Sequence, residues 1–206
     1  MNYFEMVKEF HVAFGQPVGE SFGMLTDERH DLRIRLIREE WKETVLAQVK
    51  GDKIEELDGF CDMLYVTMGH GFELGYPLDC SDMIERAYIR HIPQSASDIN
   101  YGHLLGNSLL VKSKIDTMAT QILQLGWGGF ASFNQAFAEV HRSNMAKLWS
   151  LEEFVEVASG TDSRHIGWIF AESKSKPDYY VATRPDGKIM KPPSWTPPNL
   201  AQFINH

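Results

Sequence analysis

LRIRLIREEWKETVLAQVKGDKIEELDGFCDMLYVTM, running from Leu32 to Met68, is the stretch that decides the fold. It reads as two amphipathic helices joined by a tight turn at Lys50, Gly51 and Asp52, with acids at helical spacing on both arms. Glu40 and Glu43 are three apart and Asp58 and Asp62 are four apart, so each pair can share one helix face. In an antiparallel hairpin centred on Gly51, positions equally far from the turn lie opposite one another. Glu40 then faces Asp62, and Glu43 falls within about one residue of Asp58. Four carboxylates are expected to converge on one small volume.

The apolar residues give the direction of these acids. On the first arm, Leu36, Glu40, Glu43 and Ala47 form one expected stripe. On the second, Ile54, Leu57, Cys61, Leu64, Tyr65 and Met68 form another, with Asp58 and Asp62 along its border. Carboxylates beside a buried face repel one another unless a cation neutralises them. A hard divalent ion with oxygen ligands, Mg2+ or Mn2+, is the natural counter-charge for Glu40, Glu43, Asp58 and Asp62. The ordinary fate of a run such as E-E-W-K-E is a solvated helix face near Lys42 and Lys50, and either arm alone reads that way. The paired spacing about one turn favours the metal.

At 206 residues with 43% hydrophobic content, the chain can bury a sizeable core as one folded unit with elaborations. Twenty Lys and Arg against 28 Asp and Glu give a formal charge of -8, which argues against a general nucleic-acid surface. Cys61 lies on an apolar stripe and is expected to be a small core residue. With Cys80 as the only other cysteine, a reducing cytoplasm fits. No apolar run approaches a membrane span, and Met1 to Phe14 is amphipathic and acidic where a signal would be basic and hydrophobic.

Outward from the hairpin, Phe4, Val7, Phe10 and Phe14 predict a short N-terminal helix, and Gly15 to Leu25 a loop. Thr26 or Asp27 can cap the first acidic helix. The second is expected to stop across Gly69, Gly71 and Gly75 to Pro77. Asp79 to His91 predicts a helix ended by Ile92 to Gln94, and Ser95 to Asn100 a linker. His103 to Leu125 predicts a long helix broken by Gly126, Gly128 and Gly129, and Phe130 to Trp149 another. After a short helix at Leu151 to Ala158, Tyr179 to Thr183 and Ile189 flank Asp186 and Gly187 as a small β-hairpin. The proline-rich tail is expected to be extended and docked through Trp195, Leu200 and Phe203. The expected class is all-α, a helical bundle built around the acidic hairpin, with a bundle domain over 1–150 and a C-terminal extension over 151–206.

These residues resemble the all-α NTP pyrophosphohydrolases, the MazG-like superfamily, whose signature is E-x-x-E on one helix and E-x-x-D on the next. Glu40 to Glu43 match the first half, and Asp62 to Val66 match the D-x-L-Y-V end of the second. The opening V-K-E-F-H-x-A-F-G-Q-P, the run E-V-H-R-S-N-M-A-K and the ending D-G-K-I-M-K-P-P resemble a phage and bacterial branch, and the blocks together cover roughly half the chain. The signature places Glu where this chain has Gly59, and Asp58 is the expected substitute. Residues near 84–130 look inserted relative to shorter relatives.

The resemblance implies metal-dependent hydrolysis of a nucleoside triphosphate between the α and β phosphates, with Glu39 or Glu40 orienting or deprotonating the attacking water. It assigns Arg142, Asn144 and Lys147 to phosphate binding, with Lys188 and Lys191 closing from the tail. His11, Phe14 and Trp41 are the candidates to meet the base, although packing is the ordinary role of each. His141 and Ser143 are two apart on a helix and make no nucleophilic pair, and His91, His103 and His165 lack metal-ligand spacing. A homodimer or higher oligomer is expected, with neither nucleic acid nor membrane as a partner. Gly59 motivates the alternative of a non-catalytic nucleotide-binding protein on the same scaffold.

Overall fold

A computed structural model describes residues 2–76, 78, 87–159 and 167–204. Its centre is the acidic hairpin, α2 (Asp27–Lys50) and α3 (Lys53–Glu73). The Thr26 hydroxyl accepts from Arg29 N at 3.4 Å to start α2. Gly51, at φ 72°, adopts the left-handed conformation that ends it, and the Asp52 carboxylate caps α3 through Glu55 N. The turn therefore falls at the expected three residues. Gly69 and Gly71 do not stop α3, which runs through both to Glu73 because each is enclosed by packing partners.

The buried face of α2 is rotated from the expected stripe. Ile34, Ile37, Thr44 and Ala47 are buried, Leu36 and Glu40 half-buried, and Glu43 exposed. Glu43 stands about 60° round the helix from Glu40, so it reaches the acids from the rim. On α3, Leu57, Cys61, Leu64, Tyr65 and Met68 are buried as read, while Ile54 at the helix start is exposed.

The crossing of the two helices is tight at Gly59. A Cβ there would lie 2.2 Å from Thr44 Oγ1 and 3.1 Å from Thr44 Cα. No side chain fits at this position unless Thr44 and α2 give way. Gly59→Ala is expected to destabilise the fold by about 1–3 kcal/mol, since α2 and α3 must separate. Urea denaturation followed by circular dichroism measures it, and an unchanged midpoint would mean that the crossing yields freely.

Around α3 pack α1 (Tyr3–Ala13), α2, α5 (Ser108–Gly129) and α6 (Phe133–Met145), and α4 (Ile92–Leu104) pairs with α5 and touches α2. Three expectations are corrected here. Ser95 to Asn100 is helix, because Ala96 and Ile99 bury at helical spacing and Pro93 opens α4 in its first turn. The expected long helix from His103 is interrupted at Gly106, φ 62°, and restarts with Asn107 as cap. It then passes through Gly126, where the Phe133 ring leaves no room for a side chain, and ends at Gly129. The expected helix over Asp79 to His91 lies mostly outside the described residues; residues 87–88 are not helical and Ile89–His91 form a single 3-10 turn.

β1 (Trp149–Ser150), β2 (Ile169–Glu172) and β3 (Tyr179–Thr183) form an antiparallel sheet in the order β1-β3-β2, and α7 (Leu151–Ser159) follows β1. Trp149 thus belongs to a strand, not to the preceding helix. The Asp186-Gly187 turn closes only one bridge, Thr183 to Ile189, so the main partner of β3 is β2. The tail is fastened to α6: Trp195 Nε1 donates to Ser143 O at 3.1 Å, Ser143 Oγ to Thr196 O at 3.0 Å, and Leu200 is buried. Among the described residues, seven α-helices and this one small sheet make the fold all-α in class, and no helix is long and apolar enough to cross a membrane.

Candidate active site

Hairpin geometry brings the four acids within electrostatic reach of one another. Burial first, then Glu43, Asp58 and Glu39, push Glu40 up to about 7 against the pull of Lys147. Burial and then Glu55 raise Asp58 to about 6, with Glu43 adding and Lys147 and Lys191 opposing. Asp62 is driven well above the carboxylate range, first by burial and then by Asp58, Glu40 and Glu43. These shifts describe carboxylates desolvated by burial and further raised by one another.

Two cations face them. Lys147 follows α6 and is half-buried; burial lowers its ammonium despite Asp62, Asp58 and Glu40 nearby. Its Nζ donates to Asn144 Oδ1 at 2.6 Å. Lys191, on the tail, holds its Nζ 3.5 Å from the centre of the Trp195 ring and is felt by both Asp58 and Lys147. The site is therefore a carboxylate floor from α2 and α3 beneath lysines from the α6 end and the tail.

Other candidates lie elsewhere. Arg142 is spoken for: its Nε and Nη2 donate to Glu139, both at 2.9 Å, and its remaining donors reach Thr196 Oγ1 and Pro197 O. It clasps the tail, a role hidden in sequence because its tail acceptors are 54 and 55 residues away. Trp41 donates from Nε1 to Ile89 O at 3.0 Å and packs on the core. Phe14 is buried against Leu148 and Val181. Glu39 is exposed, with Arg35 at 4.0 Å. Lys188 sits beside the Asp186 turn, its backbone N–H donating to Asp186 Oδ1.

His11 belongs to a separate polar knot between α1, α2 and α3. Burial and then Arg33 hold its ring down to about 4; Nδ1 is 2.9 Å from Pro17 O, and the Arg33 guanidinium is 3.4 Å from Nε2. Glu73 there accepts from Arg29 and Arg33. Nearby, His30 and His103 stack at 3.8 Å, and neither ring nitrogen of buried His70 meets a partner among the described residues.

A hard divalent cation suits the donor set at the acid site: it is all oxygen, three of its members are raised first by burial and then by neighbouring acids, and Glu43 adds a reachable fourth. As the side chains stand, no three His, Cys, Asp or Glu groups among the described residues are close enough to grip one ion. The acids are neighbours, and ligation would draw them closer.

Sequence reasoning missed Tyr65, His141 and Glu9, which are hydrogen-bonded behind this site. The available signal was spacing: Tyr65 is three beyond Asp62, and His141 is three before Asn144.

Comparison with known proteins bears on the same hairpin. An uncharacterized protein of Acanthamoeba polyphaga mimivirus is 25% identical, across 98% of this chain and 95% of its own length. No solved structure matches. Residues 7–87 match the phosphoribosyl-ATP pyrophosphohydrolase family. The segment that carries all four acids is thus similar to the phosphoribosyl-ATP pyrophosphohydrolases, a family of the MazG-like all-α NTP pyrophosphohydrolase superfamily.

Proposed function

We propose that the protein hydrolyses a nucleoside or deoxynucleoside triphosphate between the α and β phosphates, releasing the monophosphate and pyrophosphate, with Mg2+ as its metal and Mn2+ able to replace it. The observation that carries this reading is the set of raised carboxylates from α2 and α3 facing Lys147, inside a segment similar to the phosphoribosyl-ATP pyrophosphohydrolases. When bound among Glu40, Glu43, Asp58 and Asp62, the metal supplies charge neutralisation at phosphate oxygens and a more acidic water. Glu40 is the better proton acceptor of the two candidates, since it faces the cluster with an affinity near neutrality while Glu39 points to solvent. Lys147, steadied by Asn144, meets the leaving pyrophosphate, and Lys191 approaches from the tail. Arg142 is not needed for phosphate in this scheme; it holds the tail so that Lys191 reaches the site.

The resemblance of the α6 and tail sequence blocks to the phage and bacterial branch supports that assignment, and buried, free Cys61 suits a reducing cytoplasm. Domain limits follow the same reading: α4 and α5, which lie beyond the matched segment, form the insertion near 84–130, and 151–206 is an extension of the same domain. Exposed Tyr101, Leu104, Leu105 and Leu109 around the α4–α5 turn support a homodimer or larger assembly.

The test is a panel of NTPs and dNTPs incubated with Mg2+ and resolved chromatographically. The expected products are monophosphate and pyrophosphate; release of orthophosphate overturns the bond assignment. Metal-dependent nucleotide binding without turnover would support the non-catalytic alternative that Gly59 motivates.

A further inference from the structure

An open hollow of about 610 Å³ lies where the C-terminal extension meets the helical bundle, and the phosphate chemistry does not use it. Its volume falls within the range of about 300–1,000 Å³ that small-molecule sites occupy. One wall is the end of α6 and the turn after it, through Met145, Ala146 and Leu148. Lys147, the lysine assigned to phosphate, is the residue between the last two. A second route joins the acids to the same place. Tyr65, one helical turn beyond Asp62, has its hydroxyl 3.0 Å from His141 Nδ1, and His141 Nε2 is 3.2 Å from Glu9, which lines the hollow.

The other wall comes from the extension. Val181 packs with Leu148 and Phe14, while Tyr180 turns the opposite way to stack on Phe154 at 4.3 Å. Strand alternation therefore puts Tyr179 on the face of Val181, toward the hollow, where its ring stays 44% exposed. An accessible aromatic ring in a hollow also lined by Met145 and Leu148 is a surface for another flat ring. The polar lining is acidic. Glu9, Glu152 and Glu153 share it with one cation, Lys176, whose Nζ is tied to Glu9 at 2.7 Å. Glu153 accepts from Ser150 Oγ at 3.1 Å and from Ser194 N at 3.0 Å, and Glu152, exposed in the first turn of α7, is open to a ligand. Such a lining repels phosphate and welcomes N–H donors.

The side chains expected from sequence to meet the base are engaged elsewhere. His11 and Phe14 are buried, and Trp41 gives its N–H to Ile89 O. We propose that the hollow is the nucleoside subsite: it takes the uncharged end of the substrate, stacked on Tyr179, and favours bases with an exocyclic amino group, adenine, guanine or cytosine, over uracil and thymine. The inference rests on the pyrophosphohydrolase reading and adds to it where the base lies and which bases suit it. One substrate molecule is then divided between unlike surroundings, its phosphates over carboxylates that a metal neutralises and its base in a hollow that the extension completes.

Tyr179→Ala tests this in turnover and in binding. KM for the preferred triphosphate is expected to rise about fivefold to a hundredfold with kcat within about twofold, and the preference among bases to level out. Tyr179→Phe keeps the ring and should hold KM within about threefold of the wild type. The binding arm uses free nucleosides and metal-free protein, followed by saturation-transfer difference NMR. Adenosine, guanosine and cytidine should show saturated base protons, with weaker signals from uridine and thymidine. The signals should vanish in Tyr179→Ala and in Ser194→Trp, whose indole fills the hollow from its exposed rim. Unchanged KM and base preference in Tyr179→Ala overturn the proposal, as does nucleoside binding that is absent from the wild type or survives both variants. Stronger binding of uridine or thymidine overturns the choice of base. If the wild type hydrolyses no nucleotide yet binds nucleosides through Tyr179, the functional reading fails and the subsite stands.

Discussion

Asp62→Asn is expected to abolish turnover and to stabilise the metal-free fold at the same time. Asp62 sits where α3 faces Glu40 across the hairpin, and its affinity for a proton is raised first by burial and then by Asp58, Glu40 and Glu43. An acid whose folded pKa is raised keeps its contribution to stability below the unfolded value and loses it as pH rises through the folded one. The asparagine has no such penalty, so its advantage should be small near pH 4 and grow with pH, reaching about 1–3 kcal/mol at pH 7. His11, His30 and His141, whose ring affinities are lowered, impose the opposite dependence, but they are common to both proteins and cancel in the difference. Loss of one metal-facing carboxylate should lower kcat/KM by about a thousandfold or more. Paired urea titrations at pH 5 and 8, with EDTA and then with Mg2+, measure both sides. A variant that is both inactive and less stable at pH 8 would mean that Asp62 is compensated in the free protein, contrary to the crowding described here.

How far the sequence foretold this depends on the range of the contacts involved. The hairpin was legible because its causes are local: helical periodicity, a glycine able to adopt positive φ, and the Asp52 cap. One-turn spacing put Asp58 on the face of Asp62, but the close approach of Gly59 to Thr44 exists only once two helices cross. Lys147 could be placed beside phosphate only by resemblance, since nothing within α6 says that its end meets α3. The partners of Arg142 were hidden for the same reason in reverse. A helix-end arginine looks free until the tail returns to accept from it. α4 was missed because Ala96 and Gly102 are weak hydrophobic markers and Pro93 reads equally as a stop or a start. Spacing could have drawn attention to Tyr65 and His141 singly, but their contacts with each other and with Glu9 join three helices and appear only in the folded geometry.

The largest effect on stability is expected away from the acids, in Glu73→Ala. Glu73 is buried at the end of α3, where burial alone would raise its pKa; hydrogen bonds from Arg29 and Arg33 prevail and hold it below the usual range. Arg33 is itself buried, with a side chain 7% exposed and an Nε that finds no acceptor among the described residues. Removing Glu73 leaves that guanidinium charged, enclosed and unpaired beside His11, a change that costs about 3–5 kcal/mol. In a chain of this size the melting temperature should fall by roughly 6–20 °C. The loss should shrink as pH falls through the folded pKa of Glu73, because a depressed carboxylate contributes its stability only above that point. The double variant Arg33→Met, Glu73→Leu is expected to recover most of the loss, since the buried charge disappears along with its partner and Arg29, one-third exposed, can turn to solvent. Glu73 lies about 16 Å along α3 from Asp62, so molecules that remain folded should keep their kcat. If the single variant loses activity at a temperature where it is still folded, the polar knot around His11 and the carboxylate site are linked, and α3 is the element that links them.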